Sequence, residues 1–399
     1  MGRAKYAFLL EDADVRRWYE NVARGSEVTA DVYLRRLGAF CKHFKLKPKR
    51  LASLSQDELY NLLLDYVSAL ERAGRAGSYI ESALKAVKSW LAHNGIEIRR
   101  RIKIRGARDT PSLRDERVPT QQELRRIFLS GDKKARAACV LVAHSGLRLM
   151  TLGNYRGVDG LRVKDLPEIR IEGRRVKFEQ IPTMVVVRPE LSKARHQYFT
   201  FLSEEGCQYL KDYLEERMLN GECLTPNSPI IRPKVASKPF IRTVNIGDTI
   251  RNAIRKAGFS WRPYVLRAYF DTQLMLAESK GLVLRDYRQF WMGHKGDIEN
   301  RYTTNKCRLP ESVIEDMRES YKKSQEFLQT TKPEIGREKL AEEFRKQLLL
   351  VAGFTSEEIS KLNITGLTDE EFQRIVRKRL LGDRNEDCGR AKRSSRYLD

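Results

Sequence analysis

The chain has 399 residues and a formal net charge of +23, because 76 lysines and arginines outnumber 53 aspartates and glutamates. Its length exceeds that of a usual single domain, and with 41% hydrophobic residues it can bury two separate cores. The excess of positive charge favours a polyanionic partner, nucleic acid first and an anionic membrane second, whereas the lack of an apolar run of about 18 residues argues against a membrane-spanning helix.

The N-terminal part of the chain has the pattern of amphipathic helices. Apolar residues recur at spacings of three and four in VYLRRLGAFCKHF, LSQDELYNLLLDYVSALERAG and SYIESALKAVKSWLAHNG. Two serines precede a glutamate by three residues, the spacing of a capping box: Ser55 with Glu58 and Ser78 with Glu81. We predict an all-helical domain over residues 1–95.

Basic residues crowd the next stretch, IEIRRRIKIRGARDTPSLRDERVP, which contains two prolines and has no helical periodicity. We interpret residues 96–118 as a linker between two domains. Its cations are candidates for contacts with phosphates along a nucleic-acid groove: Arg99, Arg100, Arg101, Lys103, Arg105 and Arg108. A solvated run of charge is the alternative interpretation.

A second domain is predicted over residues 119–330. It opens with helices, including the apolar ARAACVLVAHSGLR, and then changes to strand patterns in EIRIEG, VKFEQI, TMVVVRPE and HQYFTFL. Helical patterns return from residue 204 onwards. The fold class is therefore mainly α, with an α+β second domain that contains a small three-stranded antiparallel sheet. Residues 331–399 are expected to add short helices and a disordered basic tail.

The cysteines and histidines do not have the spacing of a metal site. Six cysteines occur without a CxxC pair, and five histidines show no ligand pattern. We therefore expect no metal, no other cofactor and no disulfide framework. Because the N-terminus becomes charged too early for a signal peptide, we expect a cytoplasmic protein without a membrane partner.

Four strings in the second domain stand in a fixed order. They are HSGLRLMTL around Arg148, ELSKARHQYF with Lys193, PYVLRAYF around Arg267, and WMGHKGDIENRY with His294 and Tyr302. This series resembles the tyrosine recombinase (phage integrase) family, and the helical first domain is similar to that family's core-binding domain. The resemblance covers residues 10–325. The content of Lys, Arg and Glu suits an archaeal or thermophilic mobile element.

The resemblance implies a role for each of these residues. Tyr302 would attack a DNA phosphodiester and form a covalent 3′-phosphotyrosine, without metal or ATP. Arg148 and Arg267 would bind phosphate oxygens and stabilise the transition state. Lys193 would protonate the departing 5′ oxygen, and His294 would form a hydrogen bond with a non-bridging oxygen.

Two of these assignments have rivals in the sequence. Lys177 and Arg195 are the alternatives to Lys193, because both are basic and lie near the predicted sheet. Tyr321 is the alternative to Tyr302, but it falls in an amphipathic helical pattern and lies far from the Gly-His pair.

The chain departs from the family pattern at three places. Tyr264 stands where the family usually has a histidine, and a phenol can donate a hydrogen bond to phosphate but is a poor base near neutral pH. Thr151 stands where a glutamate commonly follows the first arginine. Residues 153–160, GNYRGVDG, have the character of an insertion before Asp165, so the support of Arg148 is expected to be built differently.

The function that the resemblance implies is site-specific DNA recombination, in which strands are cut and rejoined. The expected partner is double-stranded DNA with paired recombination sites, bound by a homo-tetramer that is a monomer or dimer when free. A type IB topoisomerase and a catalytically decayed DNA-binding relative are the alternatives.

One further pattern follows the expected nucleophile. An apolar stripe in PESVIEDMRESYKKSQEFL must be buried, either on its own domain or in a neighbouring subunit: Val313, Ile314, Met317, Tyr321 and Phe327. The helices beyond it are expected to extend a subunit contact or to bind DNA through a group of cations: Arg374, Arg377, Lys378 and Arg379.

Overall fold

The computed structural model describes residues 4–107, 116–234, 238–294, 309–331, 345–360, 362 and 368–381. Tyr302 and Arg108 lie outside these ranges. Within them the chain is mainly helical and carries antiparallel strands, so the predicted fold class is confirmed. No helix in the described ranges has both the length and the apolar character needed to cross a membrane.

The first part of the chain folds as a group of helices around its own core. The helices are α1 (Ala13–Gly25), α2 (Glu27–His43), α3 (Pro48–Leu51), α4 (Gln56–Arg72) and α5 (Gly77–His93). Trp18 and Trp90 are fully buried between them, and the indole nitrogen of Trp90 donates a hydrogen bond to the carbonyl of Pro48 at 3.1 Å. This hydrogen bond satisfies the polar N–H group of an indole ring that otherwise supplies apolar contact.

One of the two predicted capping boxes forms and the other does not. Ser55 and Glu58 cap α4 reciprocally. Helix α5 begins at Gly77, so Ser78 lies inside its first turn and makes no cap. Gly77 packs closely on the backbone of Gly106, which a side chain at this position would overlap.

The basic stretch after α5 is extended and packs on the first core. Four isoleucines at alternating positions contact that core: Ile96, Ile98, Ile102 and Ile104. In an extended chain, successive side chains point to opposite sides. The intervening odd-numbered residues from Glu97 to Arg105 are accordingly exposed. The isoleucines of IEIRRRIKI have this period of two, whereas the prediction from sequence considered only helical spacing.

The second part surrounds a nearly fully buried helix. Its elements are α6 (Gln121–Ser130), α7 (Lys133–Ala143), α8 (Leu149–Leu152), α9 (Glu204–Leu219), α10 (Thr243–Lys256), α11 (Tyr264–Ser279), α12 (Arg285–Trp291) and α13 (Glu311–Leu328), with four strands between α8 and α9. Helix α7 packs against α6, α9, α10 and α11. It therefore joins the helices that carry the sequence motifs.

The strands form two hairpins in the described chain, where the sequence predicted one sheet of three strands. Strand β1 (Ile169–Glu172) pairs with β2 (Arg175–Phe178), and β3 (Thr183–Val187) pairs with β4 (Tyr198–Leu202), both antiparallel. Glu168 explains the interruption, because its Oε2 atom accepts hydrogen bonds from Met184 N–H at 2.8 Å and from the Thr183 hydroxyl at 3.1 Å. The carboxylate of Glu168 thus takes the place beside β3 that the backbone of a neighbouring strand would have.

Helix α13 docks on its own domain, the first of the two expected arrangements. Met317, Tyr321 and Leu328 are fully buried in the second core. The Tyr321 hydroxyl donates a hydrogen bond to the carbonyl of His144 at 2.5 Å. Tyr321 is therefore a core residue.

The buried apolar side chains fall into three clusters. One spans Tyr6 to Leu91, a second spans Leu124 to Leu328, and a small third one contains Leu349, Ile359 and Phe372. The third cluster belongs to three short helices. They are α14, which we define as residues 345–351, α15 (Ser356–Ser360) and α16 (Asp369–Leu381). The domain boundaries drawn from the sequence stay a prediction.

The inserted loop, residues 153–160, contacts the first group of helices. The Tyr155 hydroxyl donates a hydrogen bond to Asp31 of α2 at 2.5 Å, and Arg156 pairs with Glu27 of the same helix. Asp31 is 3% exposed and also accepts a hydrogen bond from Tyr19 at 2.6 Å. The insertion therefore bridges the two parts of the chain.

Candidate active site

Two of the arginines singled out in the sequence converge on one backbone carbonyl. Arg267, in the first turn of α11, is buried and donates hydrogen bonds to the carbonyl of Met292 at 2.6 Å and to that of Gly146. Arg148, at the start of α8, donates to the same Met292 carbonyl at 3.4 Å. Segments more than a hundred residues apart thus place two guanidinium groups together.

Neither guanidinium group of the pair has an ion-pair partner among the residues that the structure describes. Burial, and after it the neighbouring charge of Arg148, lower the pKa of Arg267 to about 10. Both causes penalise the charged form, so a bound anion would relieve both. The arrangement suits a group that carries negative charge on several oxygens, as a phosphate does.

Two glycines in the motifs are required by the geometry. Gly146 has φ +61° and Gly293 has φ +59°, a region that residues with a side chain rarely adopt. A Cβ atom at Gly293 would lie 2.5 Å from the ring of Tyr198, and one at Gly146 would overlap Phe270. The carbonyl of Gly146 accepts a hydrogen bond from Arg267, and Gly293 follows Met292, whose carbonyl accepts from both arginines. The SGLR and GH strings therefore meet in one packed junction.

His294 borders the arginine pair. It is half-buried, and its Nδ1 atom lies 2.8 Å from Oε1 of Gln289. Because an amide oxygen only accepts, Nδ1 carries the proton and Nε2 is left as an acceptor in the neutral ring. Burial, followed by the charges of Arg267 and Arg148, holds the pKa of His294 below its usual value. Those causes place the imidazole within the field of both guanidinium groups.

Tyr264 is the first residue of α11 and is 69% exposed. It precedes Arg267 by three residues, so the two side chains share one face of the helix. In the described chain its hydroxyl has no hydrogen-bond partner. The phenol is thus open to solvent at the edge of the arginine pair, where it can donate to a bound anion.

The structure places Lys193 in the connection between β3 and β4, where it is exposed. The carbonyl of Leu191 in the same connection accepts a hydrogen bond from the Thr151 hydroxyl of α8 at 3.3 Å, which ties this turn to the segment of Arg148. Arg195 lies in the same turn with φ +61°. Lys177 lies on β2 of the other hairpin, opposite Arg170.

A residue that the sequence reasoning missed supports this region. Arg188, which follows β3, donates hydrogen bonds to Asp165 at 3.1 Å, to Asp159 at 2.8 Å and to the carbonyl of Gly160 at 3.0 Å. Asp159 belongs to the inserted loop and Asp165 follows it. The insertion is therefore fastened to the strand that leads to Lys193. In the sequence, the only sign of this role is that Arg188 directly follows the apolar residues of TMVVVRPE.

The cations of the basic stretch differ in their surroundings. Arg100 pairs with Asp57 of α4 and lies 5.0 Å from the ring of Tyr60. Arg99 pairs with the adjacent Glu97 at 3.2 Å and is highly exposed. The remaining described members of this set are exposed and make no ion pair within the described residues: Arg101, Lys103 and Arg105.

No protein-family model matches the chain, and no curated protein matches it. Among solved structures it is similar to XerA recombinase, with 20% identity over 76% of this chain and 96% of the other, at a TM-score of 0.33. The integrase from mycobacterium phage Brujita shares 18% identity over 82% and 96%, at 0.35. A lambda integrase(75-356) dimer bound to a COC' core site shares 14% over 72% and 93%, at 0.42. Because these TM-scores are below 0.5, the similarities carry no argument about the function of this chain.

Proposed function

We propose that this chain is a site-specific DNA recombinase or integrase that breaks and rejoins strands through a tyrosine. The observation that carries the proposal is the convergence of Arg148 and Arg267 on the Met292 carbonyl, two residues before His294. These three residues come from separate motifs whose order along the chain resembles the tyrosine recombinase family. Their meeting at one site is what a shared chemical task requires.

The arginines would bind the phosphate that is to be cut. Each guanidinium group has five N–H donors, and the carbonyls of Gly146 and Met292 occupy only part of them. The remaining donors can bind the non-bridging oxygens and stabilise the extra negative charge of a pentacoordinate transition state. Because the carbonyls hold the groups in place beforehand, little reorganisation is needed.

Tyr302 is proposed as the nucleophile. Its phenolic oxygen forms a bond to phosphorus while the bond from phosphorus to the 5′ oxygen breaks, which leaves a 3′-phosphotyrosine and a free 5′ hydroxyl. A free phenol has a pKa of about 10, so the positive charge of the two arginines would favour its ionised form. Lys193 would donate the proton that the leaving 5′ oxygen needs. The reverse reaction rejoins the strand.

His294 and Tyr264 would hold the phosphate in position. The neutral imidazole of His294 presents Nε2 as an acceptor, and a bound phosphate anion would raise the pKa of the ring and allow Nε2–H to donate. Tyr264 would donate its hydroxyl hydrogen to a phosphate oxygen and take no part as a base.

DNA binding would use the exposed cations of the basic stretch together with the overall charge. The side chains of Arg101, Lys103 and Arg105 leave the chain on one side, spaced by two residues of extended backbone, about 7 Å apart. Such a row can follow successive phosphates of one strand. We propose double-stranded DNA with paired sites as the partner, bound by a homo-tetramer that is a monomer or dimer when free.

The test is covalent trapping on a nicked DNA substrate from which the cut strand end diffuses away. Wild-type protein and the control Tyr264→Phe are expected to become attached to the 3′ phosphate, whereas Tyr302→Phe should bind the same DNA without attachment. Mass spectrometry of the adduct identifies the linked residue. An adduct in Tyr302→Phe, or none in the wild type on any DNA, would overturn the proposal.

A further inference from the structure

A second basic site lies far from the arginine pair. It is a cleft of about 290 Å³ between the start of α7 and the end of α10, which we name the α7 pocket. Four cations line it: Lys134, Lys234, Arg255 and Lys256. Asn252 adds an amide, and Asp132 is the one acid among the described lining residues.

The length of α7 separates this cleft from the proposed active site. Lys134 lies in the first turn of α7, whereas Arg148 follows its last turn. Eleven helical residues at 1.5 Å each span about 16 Å. A phosphate held by the arginine pair therefore does not reach the α7 pocket.

Within the described part of the chain, the four cations of the α7 pocket have no ion-pair partner. Among the described residues, none of its four cations has a carboxylate oxygen within 4.0 Å. Asp132 is engaged as the N-cap of α7, where it accepts a hydrogen bond from Ala135 N–H at 2.7 Å. Cations just outside the cleft are paired, Lys133 with Glu216 at 3.7 Å and Arg232 with Glu222 at 2.8 Å.

Helix polarity explains only part of this charge. Arg255 and Lys256 lie in the last turn of α10, where the helix dipole favours cations. Lys134 lies in the first turn of α7, where the dipole disfavours a cation and favours an anion. Burial lowers the pKa of Lys134 to about 8, and nearby Lys234 and Arg232 act in the same direction against Asp132. An unfavourably placed cation of this kind is stabilised by a bound anion.

We propose that the α7 pocket binds a phosphate group. Two sources share this chemistry: a backbone phosphodiester of DNA that extends beyond the cleavage site, and a free phosphate-containing ion. The DNA source rests on the proposed function, whereas the free ion does not. Ammonium and guanidinium groups facing a cleft, with an amide donor beside them, are the donors that phosphate oxygens take.

The first experiment measures the reactivity of individual lysines in the full chain. A limiting amount of a small acetylating reagent is added near neutral pH, and peptide mass spectrometry gives the modification rate at Lys134, with Lys133 as the adjacent control. Inorganic pyrophosphate should slow acetylation of Lys134 about tenfold, the scale of one charge-assisted contact, and leave Lys133 nearly unchanged. Equal rates at Lys134 with and without pyrophosphate, and also with and without duplex DNA, would overturn the proposal.

The second experiment distinguishes the two sources. The double variant Lys134→Gln/Lys256→Gln and the control Lys133→Gln are titrated with long duplex DNA at several salt concentrations. If DNA fills the pocket, the slope of log affinity against log salt falls by about two in the double variant only. Protection by pyrophosphate with an unchanged slope assigns a free ion instead. Covalent trapping of the wild type reports on the active site separately, so failure of one proposal is not mistaken for failure of the other.

Discussion

At the scale of single residues, the backbone of the candidate active site depends on glycines as much as on charged groups. The carbonyls of Gly146 and Met292 hold the guanidinium group of Arg267, and Gly293 follows Met292 directly. Gly293 packs on Tyr198 at a positive φ, so any side chain there would displace the segment that ends in His294. The position of His294 is therefore sensitive to a change that removes no functional group.

We predict that Gly293→Ala lowers the rate of covalent attachment to DNA by at least about tenfold, because a shift of the Met292 carbonyl misplaces both arginines. Gly173→Ala is the matched control, since Gly173 also has a positive φ but has open space around it. Trapping rates and thermal unfolding should be measured for both. Equal trapping rates in the two variants would mean that backbone strain alone, and not contact with Tyr198, sets the requirement.

At the scale of elements, His144 joins three helices. It follows α7, its Nδ1 atom accepts a hydrogen bond from the hydroxyl of Ser203 before α9 at 2.7 Å, and its carbonyl accepts one from Tyr321 of α13. Ser203 Oγ accepts from Gly206 N–H, so its hydrogen is available for His144. A protonated imidazole would lose this bond, and burial lowers the pKa of His144 to about 4.

This junction predicts a pH-dependent stability. A histidine with a pKa near 6.5 when unfolded and about 4 when folded binds its proton in the unfolded state first, so stability is full above pH 6.5 and falls as the pH drops towards 4. The loss is at most about 3 kcal/mol. Denaturant unfolding between pH 7 and pH 4.5 measures it. His144→Gln should be less stable at pH 7 and show a weaker pH dependence, and an unchanged dependence would contradict the assignment.

The extended basic stretch is an element with two distinct faces. Its isoleucines face the first core, and Arg101 and Lys103 face solvent. Arg100 instead pairs with Asp57 beside Tyr60. Cations of one short stretch thus differ in role, since Arg100 is held by Asp57 while Arg101 and Lys103 are left for the proposed contact with DNA.

We predict that Arg101→Gln/Lys103→Gln lowers the slope of log DNA affinity against log salt by about two, because two phosphate contacts are lost. Arg100→Gln is the control and should change that slope little. Fluorescence anisotropy with a labelled duplex at several salt concentrations gives the slopes. A larger effect from Arg100→Gln than from the double variant would show that the wrong face was assigned to DNA.

At the scale of the whole molecule, the structure decides between the two expected arrangements of α13, which docks on its own domain. Met317 and Tyr321 of its apolar stripe are buried in the second core, and Gln121 of α6 donates hydrogen bonds to carbonyls at the end of α13, including that of Gln329 at 2.9 Å. Thr330 N–H is bound by Glu205 at 2.6 Å. The domain is therefore closed by residues up to Thr331.

We predict that truncation after Thr331 leaves covalent attachment at a single site largely intact and weakens the assembly of two sites. Truncation after Thr304 removes α13 and should unfold the second domain, because buried Met317 and Tyr321 are lost. Trapping, sizing of the protein–DNA complexes and circular dichroism separate these effects. A folded, active protein that ends at Thr304 would show that α13 is dispensable for the core.

The predictions that held from sequence alone concern local patterns and their order. Helical periodicity, the capping box of Ser55 with Glu58 and the four motif strings depend on residues close together in the chain, where spacing translates directly into geometry. Arg148, Arg267 and His294 come from three of these strings and lie near one another, while their catalytic roles stay a proposal. Helix α5 was the exception, because it begins at Gly77, one residue before the predicted cap Ser78, where the backbone of Gly106 leaves no room for a side chain.

Tertiary structure decided every question that depends on which distant groups meet. Glu168 divides the strands into two hairpins, Arg188 fastens the insertion, and Asp57 forms an ion pair with Arg100 of the basic stretch. The docking of α13 also depends on contacts between distant segments, and so does the charge of the α7 pocket, which is unpaired among the described residues. A sequence shows how many charges and apolar side chains a chain has, but their partners depend on three-dimensional proximity, which no local spacing encodes.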